Sequence, residues 1–584
     1  FIYYDRRRSI LKKKLLAGIM ALALCSTSIP QMIFAEEFTS GVLEETTPEE
    51  TEEIPEVFTD ENQAAAGDEI GGVSEFSSEE VPEFDDESDN AAVATDGGDT
   101  TATSPIEISI NSPSNPSDPT SGYTYDSSTS ICTINKPGSY RFTGNGETSN
   151  RIVIDNITSG TVNIYLNNVS ISTDVGPALL INQNVTVQVY IHLEGTNTLK
   201  TTSVLSAALQ KDNLANLTID NAASNSTGNT GSLTAAAAAN SANGAGIGGG
   251  ANGNGNGSNI TISGGSVIAY SNGFGSGIGG GAEGNGSGIT ISGGLVKAYS
   301  HDDGSGIGGG CEGNGSDITI SGGSVKAYSE GYGSGIGGGD KGNGSYIAIS
   351  DGSVTAYSTQ HGSGIGGGYN GNGSGITISG GSVTAYSERN GSGIGGGYKG
   401  NGSNITISGG SVAAHSKWFG SGIGGGREGN GSNITISGGS VTAYSERNGS
   451  GIGGGYNGSG SDITISGGSV TAYSHGFDNV KGSDIGGGYN GNSNNIYISG
   501  GSVKAQTLDY TPVKSANENI SVYRYDISNP DRSNIGIDGN NWTPSIHSDN
   551  DKTLYAWLTG EDHYITVGSE KKAYIFDSAS ETFS

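Results

Sequence analysis

Between Gly244 and Gln506 the chain repeats one phrase nine times, and no other property constrains its fold as tightly. A typical copy, Gly362 to Ser387, reads GSGIGGGYNGNGSGITISGGSVTAYS. The isoleucine before the triple glycine recurs at Ile247, Ile278, Ile307, Ile336, Ile365, Ile394, Ile423, Ile452 and Ile485. The interior spacings are all 29 residues, the first is 31 and the last is 33. A fixed period in the range of about 20–50 residues marks a solenoid, in which each unit contacts chiefly its neighbours.

One copy dictates its own strands. Ile376-Thr377-Ile378 alternates apolar and polar, so it is a strand with both isoleucines on one face. Ser-Gly-Gly follows as a turn, because glycine accepts positive φ without a Cβ clash. In Ser-Val-Thr-Ala-Tyr, Val383 and Ala385 share one face, and Thr384 and Tyr386 share the other. The Thr384 column contains Lys297, Lys326 and Lys504, and lysine does not fill a dry core, so this second face points outward. Gly-Ser-Gly-Ile-Gly-Gly-Gly supplies a third short strand or corner with one inward isoleucine. Three short strands and three corners make one coil of a parallel β-helix. No copy has helical apolar spacing, and its glycines disfavour helix by about 1 kcal/mol each relative to alanine. Collagen is excluded because glycine does not occupy every third position.

A second column of one residue type runs through the Gly-Asn-Gly-Ser corner. It comprises Asn256, Asn285, Asn314, Asn343, Asn372, Asn401, Asn430 and Asn492, with Ser459 as the exception. We expect an asparagine ladder, with side-chain amides bonding along the stack and a backbone suited to the left-handed region.

The flanks differ in kind. Residues 1–35 carry Arg6, Arg7, Arg8, Lys12, Lys13 and Lys14, then the apolar run Leu15 to Leu24, then Ile33-Phe34-Ala35, and are expected to be a secretory signal peptide. No further membrane span is expected once it is cleaved. From Glu36 to Thr103 there are 23 acidic residues and no lysine or arginine. Residues 36–120 are therefore expected to be a disordered acidic spacer. The formal charge of −32 argues against nucleic acid as a partner and against an anionic membrane surface. The 121–243 region is expected to hold irregular coils of the same solenoid, with strands at 140–143, 151–155, 161–166, 178–181, 185–192, 217–219 and 232–236. The 507–584 region has five further short strands and is expected to be a C-terminal β cap or a small module. Cys132 and Cys311 show no metal spacing, and Cys311 is expected as an exposed thiol in an outward column.

Gly138-Ser139-Tyr140, Asn150 to Ile154, Leu193 to Leu199 and Gly231 to Ala235 resemble the N-terminal β-solenoid region of secreted clostridial-type carbohydrate-binding-domain proteins. The Gly-x-Gly-Ile-Gly-Gly-Gly and Ile-Thr-Ile-Ser-Gly-Gly units resemble the repeats of such proteins, and Leu558 to His563 their C-terminal piece. The resemblance implies an all-β, right-handed parallel β-helix of the pectate-lyase-like kind, secreted or at a cell surface, that binds polysaccharide. It leaves calcium binding open, because some relatives of that fold bind calcium and others are lyases. It transfers no functional residue.

Two features of the repeats bear on function. One outward aromatic column comprises Tyr270, Tyr299, Tyr328, Tyr357, Tyr386, Tyr444 and Tyr473, interrupted by His415. Another follows the triple glycine, at Tyr369, Tyr398, Tyr456 and Tyr489. A tyrosine offers a flat apolar ring and a hydroxyl, which suits a sugar. Stacking between neighbouring rings would explain the columns equally. The copies are nearly identical except in the loop before Gly-Ser-Gly-Ile, where Trp418-Phe419 is the most unusual pair. Loops on a rigid scaffold are where function concentrates. We therefore expect a non-catalytic, monomeric rod that binds plant or bacterial cell-wall polysaccharide along these tyrosines and Trp418. A passive rod or adhesin that binds protein is an alternative reading. A polysaccharide lyase is another, for which Asp302, Asp303, Glu312 and Asp317 form the nearest approach to a carboxylate cluster.

Overall fold

A computed structural model describes residues 104–505, apart from 119, 212–214, 223–229, 252–254, 477–480 and 499–500. Beyond 505 it describes 522–528, 535–537, 540–542, 553–559, 562–567, 570–577 and 582–583. The expected signal peptide and most of the acidic spacer lie outside these residues.

Most regular copies form three parallel strands, and in two copies the first two run on as one, Gly315–Ser329 and Gly344–Ser358. In one coil they are Gly373–Ile378, Ser382–Ser387 and Ile394–Gly395. The next coil repeats them at Gly402–Ile407, Ser411–Ser416 and Ile423–Gly424. Register is one copy per coil: Ile376 pairs with Ile405, Val383 with Val412 and Ile394 with Ile423. Identical residues therefore stack in files. Ile376, Ile378, Ala385 and Ile394 are fully buried and Val383 is 1% exposed, which is the dry aliphatic axis that the alternation requires. Each such isoleucine contributes roughly 1.5–3 kcal/mol by leaving water. The described residues form an all-β parallel solenoid with no helix. Among them no helix is long and apolar enough to cross a membrane.

The third corner explains the glycines. The coils approach so closely there that a Cβ on Gly371 would lie 1.8 Å from the carbonyl oxygen of Gly342. Gly366 combines a φ of +131° with a carbonyl 2.1 Å from where its Cβ would sit. Only glycine satisfies both conditions. The enclosed serines of this coil are paired. The buried Ser387 hydroxyl donates to Gly362 O at 2.8 Å, and the Ser363 hydroxyl donates to Gly367 O at 2.9 Å.

The asparagine ladder exists, but it is wired differently from the expectation. Asn372 N–H donates to Oδ1 of Asn343, and Asn401 N–H to Oδ1 of Asn372, each at 2.8 Å. The main bond therefore runs from backbone to side chain. An amide-to-amide bond accompanies it between Asn343 and Asn314. The left-handed residues are others, among them Asn370, Lys399 and Glu428, at φ between 61° and 65°. The turn's positive φ falls two residues before the ladder asparagine, so the ladder position itself is chosen for its reach.

The irregular coils continue the same three files toward the N-terminus. Thr161–Asn167, Ser170–Thr173 and Leu179–Ile181 make one such coil. The seven expected strand sites are all strands. The reading missed Ser170–Thr173, Thr196–Thr201 and Leu209–Lys211, whose serines, threonines and lysines hide their alternation. The solenoid also starts earlier than residue 121. Ile106–Ser109 pairs in parallel with the strand Gly138–Thr143, and Ile108 and Ile110 are buried. Residues 106–110 thus belong to the rod and not to the spacer: their isoleucines cover the first coil.

Both ends of the parallel ladders meet antiparallel strands. At the N-terminal side Tyr123–Asp126 pairs antiparallel with Ile131–Ile134. At the other, Thr553–Thr559 pairs antiparallel with both Ser502–Lys504 and Val522–Ser528. An unpaired ladder edge invites association, and these strands occupy it.

Candidate functional site

The first tyrosine file lies outside the aliphatic axis but is not a free surface. Its rings stack on one another at centroid distances of 5.3 Å for Tyr270 and Tyr299, 5.0 Å for Tyr299 and Tyr328, 5.0 Å for Tyr328 and Tyr357, and 4.8 Å for Tyr357 and Tyr386. The last two pairs are within 3° of parallel. Tyr444 and Tyr473 stack at 5.5 Å. Tyr270, Tyr299, Tyr444 and Tyr473 are only 4–8% exposed, and Tyr328, Tyr357 and Tyr386 are half-buried. Neighbouring rings cover the faces that a sugar would need, leaving ring edges. The hydroxyls are also engaged: Tyr357 Oη donates to Glu388 Oε2 at 3.0 Å. Burial, and then the nearby carboxylates, push the hydroxyl pKa values of Tyr328, Tyr357 and Tyr386 above the ordinary tyrosine range. His415 breaks the file edge-on to Tyr386, with Nε2 2.9 Å from Glu446 Oε1.

The second file is different, because the chain brings the variable loop against it. The residue after the triple glycine donates its N–H to the last variable-loop residue one coil earlier. Tyr369 bonds to Tyr332 O at 2.8 Å, Tyr398 to His361 O at 2.9 Å, Arg427 to Asn390 O at 2.7 Å and Tyr456 to Phe419 O at 2.8 Å. Two columns that are separate in the sequence thus form one edge of the rod. Tyr369 stacks on Tyr398 at 5.3 Å, and Tyr456 on Tyr489 at 5.7 Å. The Arg427 guanidinium bridges the gap, 5.8 Å from the Tyr398 ring, 5.6 Å from Tyr456 and 5.0 Å from Phe419. Beside it, Trp418 meets Arg447 at 4.8 Å and Arg389 at 5.9 Å. Tyr369, Tyr398, Trp418, Phe419, Tyr456 and Tyr489 are all half-buried, so none is sealed. Burial, then Arg389 and Arg427, lower the His361 pKa to about 4, so the ring is neutral at pH 7.

The same edge carries an acidic cluster in the coils immediately before the aromatic one. Donor atoms of Asp303, Cys311 and Asp340 all lie within 4.8 Å of one another. Of the four carboxylates expected as a cluster, only Asp303 belongs. Glu312 Oε1 lies 2.5 Å from Lys341 Nζ, and Asp317 is an exposed residue of left-handed φ within the strand Gly315–Ser329. Cys311 is half-buried, contrary to the exposed thiol expected, and burial followed by Asp303 and Asp340 pushes its pKa up. Burial, then Asp303, raise the Asp340 carboxyl to about 6. Sequence reasoning missed Cys311 and Asp340 as partners because they sit in the column after the triple glycine. The usable signal was there: Ala282, Cys311, Asp340 and Tyr369 are successive members of that column.

No curated protein and no solved structure matches the chain. The family described as beta helix repeat matches eight segments, at 260–282, 289–311, 318–340, 347–369, 376–398, 405–427, 434–456 and 463–489. The repeats across 260–489 are thus similar to that family.

Proposed function

We propose that the protein is an extracellular, non-catalytic polysaccharide-binding rod whose binding surface is the edge built by Tyr369, Tyr398, Trp418, Phe419, Arg427 and Tyr456. The observation that carries this reading is the contrast in closure between the two aromatic files. Four rings of the first file are buried at 4–8% exposure, whereas every ring of this edge, and Arg427 between them, is half-exposed. A glycan laid along the rod meets a flat apolar ring or a planar donor at each coil, and such groups contact a sugar's CH face and its hydroxyls. The rigid parallel stack orders these groups in advance, which lowers the entropic cost of binding a linear chain. The resemblance to carbohydrate-binding-domain proteins and the secretory character of residues 1–35 point the same way.

Affinity electrophoresis and pull-down on insoluble plant and bacterial wall polysaccharides test the reading. Tyr398→Ala, Trp418→Ala and Tyr456→Ala are each expected to weaken retention about tenfold, equivalent to ~1.4 kcal/mol. Tyr473→Ala, in the closed file, is expected to leave retention of the folded protein unchanged. Retention that depends on Tyr473 and not on Tyr398 would move the surface to the first file. Retention on no polysaccharide removes the function.

A further inference from the structure

We propose that Asp303, Cys311 and Asp340 form a binding site for a divalent cation of the zinc class, clamping two adjacent coils at the rod's edge. The three residues come from two columns that the fold makes neighbours. Asp303 ends one variable loop, Cys311 follows the triple glycine of the same coil, and Asp340 follows that of the next. The backbone fixes their approach: Asp340 N–H donates to Asp303 O at 2.8 Å, and Cys311 N–H donates to Phe274 O at 2.8 Å.

Geometry and chemistry both fit. The donor atoms lie within 4.8 Å of one another, and a tetrahedral zinc with its usual bond lengths holds sulfur and oxygen donors roughly 3.5 Å apart. Small rotamer adjustments close that difference. Asp303 is only 8% exposed. A second observation, separate from the clustering, concerns Asp340. Its Oδ1 is wholly enclosed and accepts no hydrogen bond, with the side chain 13% exposed. An enclosed carboxylate oxygen without a donor is costly, and a metal ion is one partner that removes the cost. Lys341 Nζ lies 3.7 Å from the other oxygen, Oδ2, and nearer to Glu312. The donor set chooses the ion. A thiolate with two carboxylates suits a borderline cation with a fourth position left for water, whereas calcium takes six to eight oxygens. This site is independent of the glycan-binding reading, because it uses none of that surface's side chains, Tyr369 being the next member of the column after Asp340.

The test uses the whole secreted chain, free of any affinity tag, reduced and treated with chelator. Cobalt(II) is the probe, since a cobalt–thiolate bond gives a near-ultraviolet charge-transfer band. One equivalent is expected to bind with that band, and zinc(II) to displace it. Cys311→Ser is expected to abolish the band, and Asp340→Asn to weaken binding at least tenfold. Cys132→Ala is expected to change neither. Should the Cys311 or Asp340 variants not fold, protection of Cys311 from alkylation by zinc(II), but not by calcium, is read in the unaltered protein. Absence of the band, a band that survives Cys311→Ser, or protection by calcium equal to that by zinc overturns the proposal.

Discussion

Two aromatic files run along this rod, and they start from nearly the same residue. In one coil Tyr357 belongs to the first file and Tyr369 to the second, only twelve positions further on. In the first, strand register stacks neighbouring tyrosines, at 5.0 Å for Tyr328 and Tyr357, and neighbouring groups close over Tyr270, Tyr299, Tyr444 and Tyr473. In the second, the rings leave a corner, and the variable loop supplies partners that differ from coil to coil. A column of identical side chains on a regular strand satisfies itself. A column beside a variable loop takes partners that differ from coil to coil.

Three experiments sharpen or break that contrast. The largest effect is expected from Tyr299→Ala in the closed file. Its ring is 6% exposed and stacked on both sides, so its removal should cost about 3 kcal/mol in urea unfolding, as for other buried aromatic truncations. Tyr398→Ala at the edge should cost under about 1.5 kcal/mol. Equal losses would erase the distinction between the files.

The next concerns acid. His361 has its pKa lowered from 6.5 to about 4 in the folded chain. Below pH 6.5 the unfolded chain therefore takes up a proton that the folded chain refuses. Stability is fully present above 6.5 and is lost as pH falls toward 4. His361→Gln should flatten this part of the pH–stability profile, and titration of the His361 ring by NMR should place its midpoint well below 6. A midpoint at the ordinary histidine value would show that neither burial nor Arg389 and Arg427 depress it.

The smallest effect is expected from the ladder. Asn372→Ala removes the acceptor for Asn401 N–H, worth about 1 kcal/mol. Hydrogen exchange should speed up at Asn401 and stay unchanged two coils away, because solenoid units communicate chiefly with neighbours.

Much of this architecture could be read from the residues. Ile376, Ile378 and Val383 face inward as their alternation requires, and the three strands of a coil fall where the copy places them. The exceptions share a cause. Thr196–Thr201 and Ser170–Thr173 escaped notice because polar β-branched and hydroxyl residues conceal a period of two. The ladder's asparagines were rightly picked, but their bonding was not, since a side chain's reach depends on backbone torsions at Asn370 and its equivalents. Trp418 was singled out from its oddity in the loop. That Arg389 and Arg447 lie over its ring was invisible, because these residues are 29 positions to either side and meet only through stacking.

The sequence by itself determined the coil: its period, its three strands, its dry isoleucine files and the need for glycine where coils touch. These follow from local alternation and from sterics, which act between residues a few positions apart and then repeat. Tertiary structure alone decided which outward columns are sealed and which loops abut them. Exposure is a property of neighbours across coils, and so is the meeting of Asp303, Cys311 and Asp340, whose two columns become adjacent only when one corner folds against the next.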